Sequence, residues 1–454
     1  MTQIEGRHDV SADAPTSPAG DEELSPRKMR RIAFASLTGT VIEFYDFGIY
    51  GTAAALVFAP VFFPALGPAA GTVAAFATFG VAFVARPVGA VLFGHFGDRY
   101  GRKKTLIATL LTMGIATVLV GLMPTTDKIG FLAPVLLVIL RFAQGLAAGG
   151  EWAGAALFAA ESAPKEKRGF WAMFPSFGAG FAVSLSSLTF LLTAVLMDED
   201  DFIAYGWRIP FLASVVLIGV GFWIRMQTEE PKVFRDEVER SGTTRVPFVE
   251  TFKQQPREVF LASGALLMGF APFYMGASYL VNYGTNMLKF SSTFVFGMVA
   301  AGSLCLSVGV ILSAMASDRI GRRKTLASAN AANIVWALAL MPLLDTGTQT
   351  AFAIGVAVTF FFSGTAFGPA GAFLAELFST HYRYTAVGLA YNLAGIVGGA
   401  VPPLIAAAII ARFGSIALGT LLAGYGVVAL VCTLALSETR GHRLEDARDG
   451  AGSK

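Results

Sequence analysis

The chain has 454 residues, 54% of them hydrophobic and only 14% charged, with a formal net charge of +3. A soluble domain carries roughly 25% charged residues, so a wholly water-facing surface is excluded and lipid must cover most of the molecule. The length allows roughly twelve spans of about 20 residues each, with loops and tails to spare.

The first 26 residues are polar and lack the apolar core of a signal peptide, and they predict a disordered tail. Apolar runs then predict helices near 32–60, 72–97, 103–123, 132–160, 170–197, 209–228, 258–288, 292–316, 324–344, 351–377, 384–411 and 415–437. The count is even, so both termini lie on one side. Lys and Arg decide which. The tail carries Arg27, Lys28, Arg30 and Arg31, and basic clusters recur in every second loop. Roughly 28 basic residues stand on that side against about four on the other, which makes it cytoplasmic. The fold class is therefore an all-α membrane protein. Its expected parts are a tail at 1–26, a six-helix bundle at 27–228, a charged linker at 229–257, a second bundle at 258–437 and a tail at 438–454. Part of the linker suits a surface helix. Cys305 and Cys432 fall in apolar runs and read as small buried hydrophobes.

One pattern occurs twice. Gly94-His95-Phe96-Gly97-Asp98-Arg99-Tyr100-Gly101-Arg102 joins the second and third runs. Ala314-Met315-Ala316-Ser317-Asp318-Arg319-Ile320-Gly321-Arg322 joins the eighth and ninth. The two copies lie about half a chain apart, the mark of a duplicated unit. Glu161 followed by Arg168, and Glu376 followed by Arg383, repeat in the same register. These residues predict a latch on the cytoplasmic side. Each Asp sits at the positive N-terminus of a neighbouring helix and pairs with Arg168 or Arg383. The second copy has Ala314 in place of Gly94, so its closest contact is expected to be looser.

Ionisable residues inside apolar spans are costly and usually functional. The first half has Glu43, Asp46, Arg86, Arg141 and Glu151. At 1.5 Å rise per residue, Asp46 lies about 21 Å from the inner side, and Arg141 about 13 Å down a core of about 30 Å, so the two meet. Glu43 and Arg86 meet by the same reckoning. Three carboxylates against two guanidiniums leave one excess negative charge, so one of Glu43, Asp46 and Glu151 is expected to take up a proton. The second half offers hydrogen-bonding and aromatic groups instead, among them Tyr274, Asn282, Tyr391 and Asn392, which read with Arg86, Arg141 and Gln144 as substrate contacts. The run from Arg141 to Trp152, with small residues at close spacing, and the glycines at 395, 398 and 399 predict close helix approach and sliding. No phosphate loop, metal cluster or nucleophile arrangement is present, which argues against an enzyme. A receptor would not need a duplicated latch.

Asp-Arg-x-Gly-Arg at both motif copies, with Arg141-x-x-Gln144-Gly145, resembles the major facilitator superfamily. Within it, Glu43-Phe44-Tyr45-Asp46-Phe47, Arg86-Pro87-x-Gly89, Gly149-Gly150-Glu151-Trp152 and Gly206-Trp207-Arg208-Ile209-Pro210-Phe211 resemble the metabolite:proton symporters. That group contains bacterial permeases for α-ketoglutarate, shikimate, citrate, and proline or betaine. The resemblance implies alternating access between two six-helix bundles and proton-driven uptake through the plasma membrane. Phe44 departs from the Trp that often follows the first-span acid. Osmosensing relatives carry a C-terminal coiled coil, and the tail here has no heptads.

The reading is a proton symporter of a small organic carboxylate. Glu43, Asp46 and Glu151 are its candidate coupling acids. The latch is drawn from Gly94, Asp98, Arg99, Gly101, Arg102, Glu161, Arg168, Asp318, Arg319, Gly321, Arg322, Glu376 and Arg383. No cofactor, metal or nucleic acid is expected, and the chain is expected to act as a monomer. The rival readings are a proline- or betaine-type zwitterion symporter and a proton-antiporting exporter.

Overall fold

The computed structural model describes residues 26–227, 247–442 and 444. The predicted N-terminal tail, most of the linker and most of the C-terminal tail lie outside them. Twelve helices are long and apolar enough to cross a membrane: α1 Arg27–Ala54, α2 Val73–Tyr100, α3 Arg102–Leu122, α4 Leu132–Ser162, α5 Lys165–Thr193, α6 Phe202–Met226, α7 Pro256–Met287, α8 Ser292–Ile320, α9 Arg322–Leu344, α10 Gln349–Leu377, α11 Arg383–Ala406 and α12 Ser415–Ala435. No strand occurs among the described residues.

The helices form two groups of six. In the first, α2 packs on α4 and α1 on α5; in the second, α8 packs on α10 and α9 on α12. The groups meet along two seams, α2 against α11 and α5 against α8. Lipid-facing apolar side chains such as Val84, Leu119, Val216 and Val335 are exposed, as a bilayer protein requires.

Glycine decides two kinds of place. Gly101 and Gly321 end α2 and α8 at φ of +107° and +108°, a left-handed region where a Cβ is strained. Both copies of the motif therefore turn the chain in the same way. Gly145 lies against α2, where a Cβ would come within 2.6 Å of the Ala82 Cα. The glycine run of α4 thus seats helices within the first group. Further along α4 the second group is reached: the Gly149 and Gly150 carbonyls accept from Asn392 and Tyr384, and Gly154 lies against the Tyr384 ring.

Several spans are broken, and the excess length of the apolar runs does not say where. Helix α7 passes through wide π-type turns at Met275–Tyr279 and Tyr283–Met287, and α11 does so at Gly395–Ala400. Such turns are frequent at functional sites. The linker contributes a short helix, Pro247–Gln254, packed beneath α2 and α11. Gln255 next to it accepts from the Tyr382 hydroxyl at 3.0 Å. Burial, with Glu250 and Glu258 nearby, pushes that phenol up to about 12, so Tyr382 remains a donor at any physiological pH.

Candidate functional site

The five intramembrane charges of the first half are all buried. Arg86 Nη2 donates to Glu43 Oε1 at 3.0 Å, and Arg141 Nη1 to Asp46 Oδ2 at 3.2 Å. The depth argument thus pairs them correctly. It does not foresee what lies between the pairs. The Phe47 ring sits 4.0 Å from the Arg86 guanidinium and 4.3 Å from that of Arg141. One aromatic ring separates two cations, and each cation gains from the ring face. Phe47 follows Asp46 directly, and aromatic residues are too common in this chain for sequence to single it out.

The two pairs differ in completeness. Asp46 Oδ1 accepts from Gln144 Nε2 at 2.7 Å and from the Thr117 hydroxyl, while Oδ2 takes Arg141. Gln144 therefore holds Asp46 in place. The surroundings of Arg141 belong to the first half: its guanidinium lies over Tyr50 at 4.0 Å and Phe79 at 5.2 Å. Glu43 has one bond only, and its Oε2 has no hydrogen-bond partner among the described residues. Among the described residues Arg86 Nε and Nη1 are likewise buried and unpartnered, as are Arg141 Nε and Nη2 and the Tyr274 hydroxyl, so the two pairs differ at the carboxylate and not at the guanidinium. The Tyr274 ring stands 5.3 Å from Phe83, which itself lies 5.3 Å from Arg86. Arg86 thus faces the second half at the edge of an aromatic shell: Phe83 touches it and Tyr274, Tyr274 touches Phe273, Phe273 touches Phe44, and Phe270 touches Tyr391.

Glu151 makes no bond to either central pair, although it stands near enough to Glu43 for its charge to act on it. It pairs with Arg225 of α6 and accepts from Thr109 of α3. Arg225 stands at the end of its span, where it reads in sequence as one more basic loop residue. The count of three acids against two guanidiniums is thereby corrected: Glu151 has its own cation, and two carboxylates face two guanidiniums in the centre. Removing one member of such a pair leaves a buried charge and costs about 3–5 kcal/mol. Arg225→Ala is therefore expected to lower the melting temperature of the detergent-solubilised protein sharply. Glu151→Gln added to it is expected to recover part of the loss. A single variant as stable as the parent would show that the pair does not hold the helices.

Of the other predicted contacts, Tyr391 stacks on Trp152 of α4 at 3.7 Å with the rings nearly parallel. Asn392 Nδ2 donates to the Gly149 carbonyl at 2.8 Å. Both join the halves just beyond the central cluster. Asn282 is exposed near the far end of α7 and does not join them. The π-type turns on either side of it disturb the regular 3.6-residue period that would set its direction around the helix.

At the end of the bundle that carries the repeated motif, the halves are tied twice. Asp98 accepts from the backbone N–H of Tyr384 and Thr385 at 3.3 and 3.2 Å, and from the Thr385 hydroxyl at 2.9 Å. These groups begin α11. Asp318 accepts from the N–H of Gly169 and Phe170, at 2.8 and 2.9 Å, near the start of α5. Each Asp thus sits on a helix N-terminus of the opposite half. Its guanidinium partner differs from expectation: Asp98 pairs with Arg102 and Asp318 with Arg322. Arg383 pairs instead with Glu161, and Arg168 with Glu376, again across the halves. The Asp is nearer to the Arg one turn along its own chain, and the Glu bridges to the other half. Gly94 abuts Thr385. Arg99 and Arg319 point outward and take no part. The start of the C-terminal tail adds ties that sequence did not suggest. Glu438 accepts from the Arg322 N–H at 2.7 Å, and the carbonyls of His442 and Leu444 accept from Arg168 and Arg383.

The sequence matches the Major Facilitator Superfamily over residues 37–402. The chain belongs to that family. It is 39% identical to the inner membrane metabolite transport protein YhjE of Escherichia coli over 93% of this chain and 98% of that one. It is 38% identical to the shikimate transporter of the same organism over 86% and 90%. It is 31% identical to the E. coli proline/betaine transporter over 93% and 86%. The fold matches the proton:xylose symporter XylE with a TM-score of 0.72 at 17% identity, over 93% of this chain and 98% of that one. The chain is thus a transporter of small metabolites, not an enzyme, and a multi-pass protein of the bacterial plasma membrane.

Proposed function

We propose that the protein takes up a small organic carboxylate, of the shikimate or α-ketoglutarate kind, together with protons. The observation that carries this reading is the Arg86 guanidinium, buried at the meeting of the two halves with two N–H-bearing nitrogens unpartnered. An arginine so placed binds a carboxylate through a planar fork. The likeness to the shikimate transporter supports the same class of cargo. The motif end is the cytoplasmic end in this reading, the bundles at 27–228 and 258–437 are the moving units, and the crossed ties at Asp98 and Asp318 are the inner latch. The latch is closed here and the central cluster is sealed beneath it. Transport then requires the ties to break and reform as the halves rock. The expected orientation, with both termini inside, rests on the basic loops.

A zwitterion of the proline or betaine kind is the second reading, favoured by the likeness to the proline/betaine transporter and by the aromatic shell, which suits a quaternary cation. Counterflow in proteoliposomes separates the two. Preloaded vesicles are expected to exchange labelled shikimate or another organic acid at least tenfold faster than glycine betaine. Exchange of betaine or proline in preference to every acid overturns the carboxylate reading.

A further inference from the structure

The central cluster holds two guanidiniums and two carboxylates, so it is neutral when both acids are ionised. Asp46 is bonded on both oxygens within the first half, to Arg141, Gln144 and Thr117. Glu43 is bonded on one oxygen, to Arg86 alone, and its other oxygen is buried without a partner; the groups that face it besides are Asp46, the Glu151–Arg225 pair, and Tyr274 and Tyr391 of the second half. A carboxylate that enters this site finds its only open guanidinium nitrogens on Arg86 and Arg141, and those of Arg86 face the second half. One negative charge added to a neutral, buried cluster is strongly disfavoured unless a proton enters with it.

We infer that the substrate carboxylate and the Glu43 carboxylate compete for Arg86, so that the substrate binds as Glu43 takes up one proton and leaves the guanidinium. On the other side the order reverses: the substrate departs, Glu43 gives up the proton to water, and its carboxylate returns to Arg86. One proton therefore moves with one carboxylate. For a monocarboxylate the cargo is uncharged in sum. A dicarboxylate passes as its singly protonated form. Asp46 stays ionised throughout as a positioning residue, because it holds Arg141 and, through Phe47, the plane against which Arg86 stacks. The inference rests on the carboxylate reading above and assigns its stoichiometry and its proton carrier.

The test uses the full-length chain in proteoliposomes, with labelled shikimate as the first monocarboxylate probe and 2-oxoglutarate as the dicarboxylate. An inward pH gradient is imposed alone, and a potassium–valinomycin potential is imposed alone. One net positive charge carried per cycle would raise accumulation about fiftyfold for each 100 mV, negative inside. The expected result is accumulation driven by the pH gradient and unchanged by the potential. An effect of potential in either direction overturns the one-to-one exchange. Glu43→Gln is expected to keep counterflow, lose its dependence on pH and lose accumulation. Glu43→Asp serves if the amide fails to fold, and is expected to restore accumulation in part. Gradient-driven accumulation by Glu43→Gln would return the proton to Asp46 and overturn the assignment. If no anion exchanges at all, the carboxylate reading itself falls, and the two failures are told apart by the counterflow panel.

Discussion

Arg86→Lys is expected to weaken binding of the carboxylate by about a hundredfold or more while the protein remains folded and inserted. Lysine retains the charge, so any simple account by electrostatics predicts little change. The geometry predicts much. The guanidinium lies 4.0 Å from the Phe47 ring, spends Nη2 on Glu43, and keeps Nε and Nη1 for another partner. An ammonium has no second edge with which to do both, and it stacks less well. Hydrogen bonds to charged groups contribute roughly 1.5–3 kcal/mol each, so losing one or two of them gives a factor of about ten to a few tens of thousands. Arg141→Lys supplies the contrast. Arg141 also keeps two open nitrogens, Nε and Nη2, but it is engaged with Asp46 and Gln144 and enclosed by Tyr50 and Phe79 of the first half, so its loss is expected to reduce stability more than affinity. Equilibrium binding of the labelled acid, set beside thermal melting of the same preparations, separates the two effects. Equal loss of affinity in both lysine variants would mean that the substrate spans both arginines, and Arg86 would lose its special role.

Much of this arrangement is written in the sequence at the level of position along the chain. Twelve apolar runs of sufficient length allow only one kind of solution in lipid, because every backbone group must be paired within a helix. The duplicated Asp-Arg-x-Gly-Arg and the paired Glu and Arg after it mark the ends of helices that meet. Depth along a regular helix places Asp46 with Arg141 and Glu43 with Arg86. What depth does not give is direction around the helix, and the departures come from there. Glu151 shares a span with Arg141, yet it faces α3 and α6 and finds Arg225. The π-type turns on both sides of Asn282 break the regular period that would set its direction, and it is exposed. The choice of Arg102 over Arg383 as partner of Asp98 follows from tertiary distance, which no spacing rule supplies. The tail beyond α12 reads as polar and unstructured, yet the carbonyls of His442 and Leu444 lie on two of the arginines that join the halves.

Asp98→Asn is expected to open the motif end and to slow transport more than Asp318→Asn does. Asp98 is almost wholly buried, with 1% of its side chain exposed against 11% for Asp318. It accepts two backbone N–H groups and a hydroxyl from the first turn of α11, where the helix dipole favours a negative charge. Asparagine keeps the shape but loses the charge, and its amide nitrogen cannot accept from an N–H. Losing one charge-assisted bond, at about 1.5–3 kcal/mol, shifts the closed-to-open balance by roughly ten- to a hundredfold. Gly94 makes the first copy the tighter one, because a Cβ there would stand 3.0 Å from the Thr385 Cα. Ala314 occupies the matching place in the second copy, where that intimacy is not required. A cysteine at Ala153, which is buried in α4 beside Gly388 of α11, reports the opening once Cys305 and Cys432 have been replaced by serine. Its labelling by a membrane-impermeant maleimide applied from the motif side is expected to rise at least tenfold with Asp98→Asn and less with Asp318→Asn. If Asp318→Asn opens the end further, burial and the glycine contact are not what sets the strength of the latch. Unchanged labelling in both would mean that the Glu161–Arg383 and Arg168–Glu376 pairs, with the tail carbonyls, hold the end shut without either aspartate.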